Sequence, residues 1–308
     1  MTKQQALPGA DRQRARLRQQ LRRVFSNRSK RLSRSKSGDV LVTLFIAAAA
    51  LFSVIPLVLS ISNSLKPINE LFVYPPTIFP RHPTFDNFRM LFSLMSSTWV
   101  PFSRYIFNTV FVTLMATAGH VLFASMAAYP LSKHAFPGKR LLNSMVMLSL
   151  MFVPTVADVA NYLTISWLGW LNSYTAMILP YIGSTLGLFL MTNYMTTIPT
   201  TLLEAAKIDG CSELKIYWKI VMPLVKPAWL TLVIIMFQTV WGQWNNQYVY
   251  LEQMKTLPYA LSQIVTGGFV RAGAGQAVAV LMLLVPAVVF IVNQSNMLET
   301  MASSGIKE

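Results

Sequence analysis

Long runs free of Asp, Glu, Lys and Arg alternate with short charged segments along this chain, and the run lengths predict its elements. No such residue falls between Asp39 and Lys66, between Arg104 and Lys133, in residues 227–251, or in residues 272–298, and only Asp158 interrupts residues 141–203. A helix crossing a bilayer needs about 20 apolar residues. The pattern therefore predicts spans at 40–65, 105–132, 141–160, 175–196, 227–251 and 272–298, with "SWLGWLNSYT" (166–175) turning the chain between the third and fourth. Between the first two spans, "KPINELFVYPPTIFPRHPTFDNF" (66–88) contains five prolines, which forbid a further helix and predict an extended, polyproline-like path across the outer face.

Composition agrees with an all-α integral membrane protein. Of 308 residues, 54% are hydrophobic and 12% charged, and a soluble domain carries about 25% charged residues. The net charge of +15 would fit nucleic acid, but its distribution excludes that partner. Twelve of the 26 Lys and Arg lie in residues 1–39, directly before the first apolar run. That basic segment reads as an N-terminal tail on the cytoplasmic side, either a short surface helix through Leu17, Leu21 and Val24 or a solvated tail touching anionic lipid. It is too long for a cleaved signal, so the first span reads as retained. Six spans put both termini on one side. That arrangement places 20 of the 26 positive residues inside, as an N-in, C-in topology requires. Residues 40–308 then form one transmembrane domain. Cys211 is the only cysteine, so no internal disulfide can form.

Catalytic chemistry is missing from the sequence. There is no HExxH, no paired-cysteine metal spacing and no phosphate-binding GxxxxGK[ST]. His82, His120 and His134 fall in an outer loop, a span and an inner loop, so neither a metal site nor a catalytic residue is expected. "RAGAG" (271–275) is too short for a nucleotide fingerprint and reads as a flexible loop. Charge-coupled carriers place ionisable relays at membrane depth. Only His120 in the second span and Asp158 near the outer end of the third qualify, each as a packing group or part of a solute path. The chain has no evident energy source of its own.

One segment departs from the apolar pattern: "EAAKIDGCSELKIYWKIVMPLVKP" (204–227). Thr201 and Glu204 have capping-box spacing for a helix from about 202. Gly210 can end that helix with a positive φ. Ser212 and Glu213 then suit the first turn of a second helix through Leu214, Ile216, Tyr217 and Ile220, and Pro223 and Pro227 bracket the start of the fifth span. Such a loop either lies on the lipid surface or docks another protein. Small Ala205 and Ala206 beside acidic Glu204 and Asp209 favour docking.

The segment resembles the EAA loop of permease subunits of bacterial ABC importers. The matching residues are Glu204, Ala205, Ala206, Asp209, Gly210, Ile220 and Pro223, with Cys211 where alanine is usual and Met222 where leucine is usual. "YPPTIFPRHPTFDNFRMLF" (74–92), "RYIFNTVFVT" (104–113), "AAYPLSKHAFPGKR" (127–140) and the ending "SSGIKE" are similar to the carbohydrate-uptake branch, in particular its maltose-type second permease. The resemblance implies a type I permease fold in a bacterial cytoplasmic membrane, whose loop at 199–227 couples to two ATP-binding subunits. It further implies a second homologous permease, an extracytoplasmic solute-binding protein, and a sugar or oligosaccharide as solute. ATP and Mg would sit on the partner ATPase, with no cofactor here. A permease for another polar solute, or a standalone secondary carrier, are the alternatives.

The fifth span carries a polar set at helical spacing: Gln238, Trp241, Asn245 and Tyr248. Amides and aromatic faces suit a hydroxyl-rich neutral solute, and equally suit packing against the partner permease. Gly183 and Gly187 form a GxxxG pair expected to allow close helix packing. "QWNNQ" (243–247) is a second candidate for the outer end, where a binding protein would dock.

Overall fold

The computed structural model describes residues 36–305 apart from 97, 98, 153, 245, 246 and 267, and every regular element among them is helical. The tail at 1–35 and the last three residues of "SSGIKE" lie outside the described residues. Helix α1 spans Lys36–Ser64. The chain divides into two compact units between Leu57 and Val58. In the first, α1 exposes Leu41, Phe45, Leu51 and Phe52, as a helix that is apolar all round does when lipid is its solvent.

The second unit holds the other helices. Inside the proline-rich segment 66–88 a single turn, α2 (Ile68–Leu71), does form directly after Pro67, and a further helix begins at Asp86, so only Phe72 to Phe85 keeps the expected non-helical path. Then follow α3 (Asp86–Ser96), α4 (Phe102–Lys133), α5 (Lys139–Met151), α6 (Pro154–Trp167), α7 (Tyr174–Ile182) and α8 (Thr185–Thr196). After them come α9 (Thr200–Ile208), α10 (Glu213–Ile216), a π-helical turn at Tyr217–Val221, α11 (Met222–Leu224) and α12 (Lys226–Trp241). The chain ends with α13 (Leu257–Val265) and α14 (Ala272–Gly305). Four described helical spans are long and apolar enough to cross a membrane: Val40–Ser64, Phe102–Lys133, Tyr174–Thr196 and Ala272–Val292. The number is six if two bent pairs each count as one.

Helix α4 organises the packing by contacting α7, α8, α12 and α13. Its side against α8 is small: Ala124 and Ala128 are buried beside Met191 and Met195. Small residues let helices approach closely where no hydrophobic effect drives them together. A separate apolar cluster joins α3, α13 and the start of α14 through Leu91, Met95, Leu261, Ile264 and Ala277.

Four expectations are corrected. The third span is not one straight helix over 141–160, because α5 and α6 meet at 111° beside Pro154, which has no N–H to continue the ladder. The fifth does not reach 251, because α12 ends at Trp241 with Gly242 as its cap. Gly183 and Gly187 are not a packing pair. A side chain at Gly183 would meet only the Leu179 and Pro180 carbonyls of its own helix, whereas Gly187 lies against the His120 ring and Leu232. "RAGAG" is no flexible loop: Ala272 to Gly275 open α14, with Ala274 fully buried and Gly273 against the Asn87 amide.

Candidate functional site

The loop at 199–227 is built in three steps. Pro199, with φ −62°, starts α9 at Thr200. Thr201 is therefore already inside the helix, and the expected capping box does not form: no side chain caps this end. Gly210 ends the helix at φ +76°, a region that costs other residues energy, and the Cys211 N–H donates to the Ala206 carbonyl at 3.0 Å. The second helix is only four residues long before it widens into the π turn at Tyr217–Val221, containing Ile220. Pro223 lies in α11, and the chain then bends 77° into α12.

Burial gives the loop two faces. Leu203, Ala206, Ile216, Tyr217 and Val221 turn inward, in one cluster with Ala124, Ala128 and Met195. Ala206 is thus a packing residue of this chain, whereas Ala205 is exposed together with Glu204, Asp209 and Gly210. Ile208 is 87% exposed and Leu214 69%, on the same loop as exposed Glu204 and Asp209.

Polar contacts between segments distant in sequence hold the inward face to the end of α4. Tyr129 donates its hydroxyl to Glu213 Oε2 at 2.9 Å, and Lys207 Nζ lies 2.6 Å from Glu213 Oε1. His134 Nε2 is 3.5 Å from the same carboxylate, with its ring edge-on to Tyr129. The Lys207 ammonium holds the Glu213 carboxyl below its usual range against the opposing effect of burial, and Tyr129 and His134 add to the lowering. Ser125 and Tyr217 share a buried hydrogen bond of 2.7 Å, and Lys133 donates to the carbonyls of Thr196 and Ile198. In the sequence Glu213 is a first-turn residue, and nothing local pairs it with Tyr129, 84 positions away.

The other end of α4 repeats the arrangement. Tyr105 donates to Glu252 Oε1 at 2.9 Å, and Lys255 Nζ is 2.6 Å from Glu252 Oε2 and 4.4 Å from the Tyr259 ring centroid. Asn108, fully buried, donates to the Gln253 and Lys255 carbonyls at 2.9 Å each and accepts from Tyr174 at 2.7 Å.

The expected solute face is not one surface. Gln238 on α12 is exposed, whereas Trp241 is buried with its ring stacked on Phe237 at 5.7 Å. Asn245 lies outside the described residues, as does part of "QWNNQ". Tyr248 is beyond the helix end, its carbonyl accepting from the Asn172 N–H at 2.9 Å and its hydroxyl from Gln247 at 3.0 Å. The side chain of Asn172, with φ 59°, accepts from the N–H groups of Tyr250 and Leu251, so the loop before α7 is tied to the segment after α12. His120 on α4 places Nδ1 3.1 Å from the Ile182 carbonyl, at the break between α7 and α8. Among the described residues, no three His, Cys, Asp or Glu gather in a way that would hold a metal ion.

Comparison with known proteins agrees with this architecture. Residues 120–296 match the family described as binding-protein-dependent transport system inner membrane component. The chain is 30% identical over 269 residues to the galactooligosaccharides transport system permease protein GanQ of Bacillus subtilis (strain 168), covering 86% of this chain and 94% of that one. It is 32% identical over 224 residues to the polygalacturonan/rhamnogalacturonan transport system permease protein YtcP of the same organism, covering 71% and 74%. Its fold matches a chain of a bacterial ABC transporter involved in the import of the acidic polysaccharide alginate, with a TM-score of 0.72 at 20% identity, over 85% of this chain and 98% of that one. A helix-breaking loop with one face on the bundle and one face free, several apolar spans and these relatives lead to one assignment: the chain belongs to the binding-protein-dependent transport inner membrane component family, as a multi-pass permease subunit of the ABC importer type and not an enzyme.

Proposed function

We propose that this chain is one of two permease subunits in an ATP-driven importer of a sugar or oligosaccharide, coupled to cytoplasmic ATPases through the loop at 199–227. The observation that carries the coupling role is the free face of that loop, where Ile208 and Leu214 stand exposed with Glu204 and Asp209 while Lys207 is drawn into the pair with Glu213. The sugar assignment is supported by the relatives named for galactooligosaccharide and polygalacturonan transport. In this reading both termini are cytoplasmic, in a bacterial cytoplasmic membrane. An extracytoplasmic binding protein delivers the solute, the second permease shares the path, and ATP with Mg is held by the two ATP-binding partners. Exposed Gln238 is available to the path or to the partner permease.

Purification of the chain from native membranes in mild detergent, followed by mass spectrometry, is expected to recover an ATPase and a second permease in stoichiometric amounts. Recovery of the chain alone after cross-linking would return the standalone carrier. Glu204→Lys should leave membrane insertion intact, strip the ATPase from the purified complex and abolish ATP-driven uptake.

A further inference from the structure

We infer that α4 is a transmission strut, clasped at both ends by a tyrosine–glutamate–lysine set, through which movement of the loop at 200–224 reaches the segment at 252–257. The inference rests on the coupling role proposed above and adds the residues that relay it.

The two clasps use the same chemistry 24 positions apart on one helix, about 36 Å at 1.5 Å per residue. At each end a tyrosine of α4 donates to a glutamate in a loop distant in sequence, and a lysine of that loop holds the other carboxylate oxygen. A charge-assisted pair with a further neutral donor is stronger and more directional than an ion pair alone. The ends differ in their lysines. Both tyrosines are buried and both carboxylates open, the Glu252 side chain 42% and Glu213 49% exposed, but Lys255 is 10% exposed and Lys207 48%. Asn108 adds two bonds to the backbone at the 252–257 end only. That end is the firmer anchor, and the one with the open lysine is one that a docking partner can pull or release. Between them α4 is packed along its length through buried Val112, Ala116, His120, Ala124 and Ala128, and a close-packed helix moves as one rigid element.

The test uses the chain as purified with its co-eluting ATPase, carrying Cys211→Ser and a reporter Gln253→Cys at an exposed position of the 252–257 segment. Maleimide labelling at residue 253 is timed with and without a non-hydrolysable ATP analogue. The analogue is expected to change the rate roughly fivefold, the scale of an ordinary coupling between distant sites. Glu213→Gln and Tyr129→Phe should each remove most of that response while the ATPase still co-elutes. Together they should do no more than either alone, and Glu213→Asp should restore much of it. An unchanged response in Glu213→Gln would overturn the strut, as would a parent complex that binds ATPase yet shows no response at residue 253. Absence of ATPase from the parent eluate would overturn the coupling role itself.

Discussion

At Gly187 a side chain would stand 1.9 Å from His120 Nε2 and 2.8 Å from a Leu232 methyl, so the glycine is required by what lies against it. Gly187→Ala should cost about 1–3 kcal/mol, the usual range for overpacking, read as a lower thermal midpoint in detergent. His120→Ala in the same chain should return part of that loss, because the ring is the main obstacle. Gly210 is held by a different constraint. A side chain there would meet no atom within 4 Å, but its φ of +76° is unfavourable for other residues. Gly210→Ala should therefore cost about 1 kcal/mol through the backbone alone, and Gly210→Asn less. A comparison of the two variants' midpoints checks the distinction.

Helices whose character is set by long apolar runs were legible from the sequence. The observed α4, α7–α8 and α14 reproduce the predicted second, fourth and sixth spans closely, because charge-free length and backbone self-satisfaction in lipid leave few alternatives. Illegible were the places where a helix ends inside an apolar run. Gly242 stops α12 ten residues before the next acidic side chain, so hydropathy could not place the stop, and the polar series from Gln238 to Tyr248 lost its helical face there. Amphipathic α3 and α13 were hidden by flanking prolines and loops. They are held by contacts between distant segments, with Leu91 and Leu261 buried against each other's cluster. The loop at 199–227 was legible as helix, glycine turn, helix, but the absence of a capping box and the length of its second helix were not, since Pro199 starts the first helix early and the π turn replaces most of the second. Leu91→Ala should lower stability by about 2–5 kcal/mol, as for other fully buried leucines, with the loss seen in hydrogen exchange across α3, α13 and the start of α14 rather than in α8.

For the whole chain the sidedness predicted from charge is open to direct measurement. In a Cys211→Ser background, a cysteine at exposed Arg140 should be labelled by an impermeant maleimide only after the membrane is opened, and one at exposed Trp99 in intact spheroplasts. The reverse pattern would overturn the N-in, C-in assignment. Asn108 adds a constraint on how such a chain is made. Its two amide hydrogens bond to carbonyls 145 and 147 residues later in sequence, and its oxygen takes the Tyr174 hydroxyl, 66 residues later. At about 5–20 residues per second, the ribosome supplies those partners only on the order of 10 s after Asn108 has been synthesised. Until then α4 carries a polar group in apolar surroundings without its native bonds, so a chain stopped before residue 253 is a substrate for quality-control proteolysis even though α4 itself is complete.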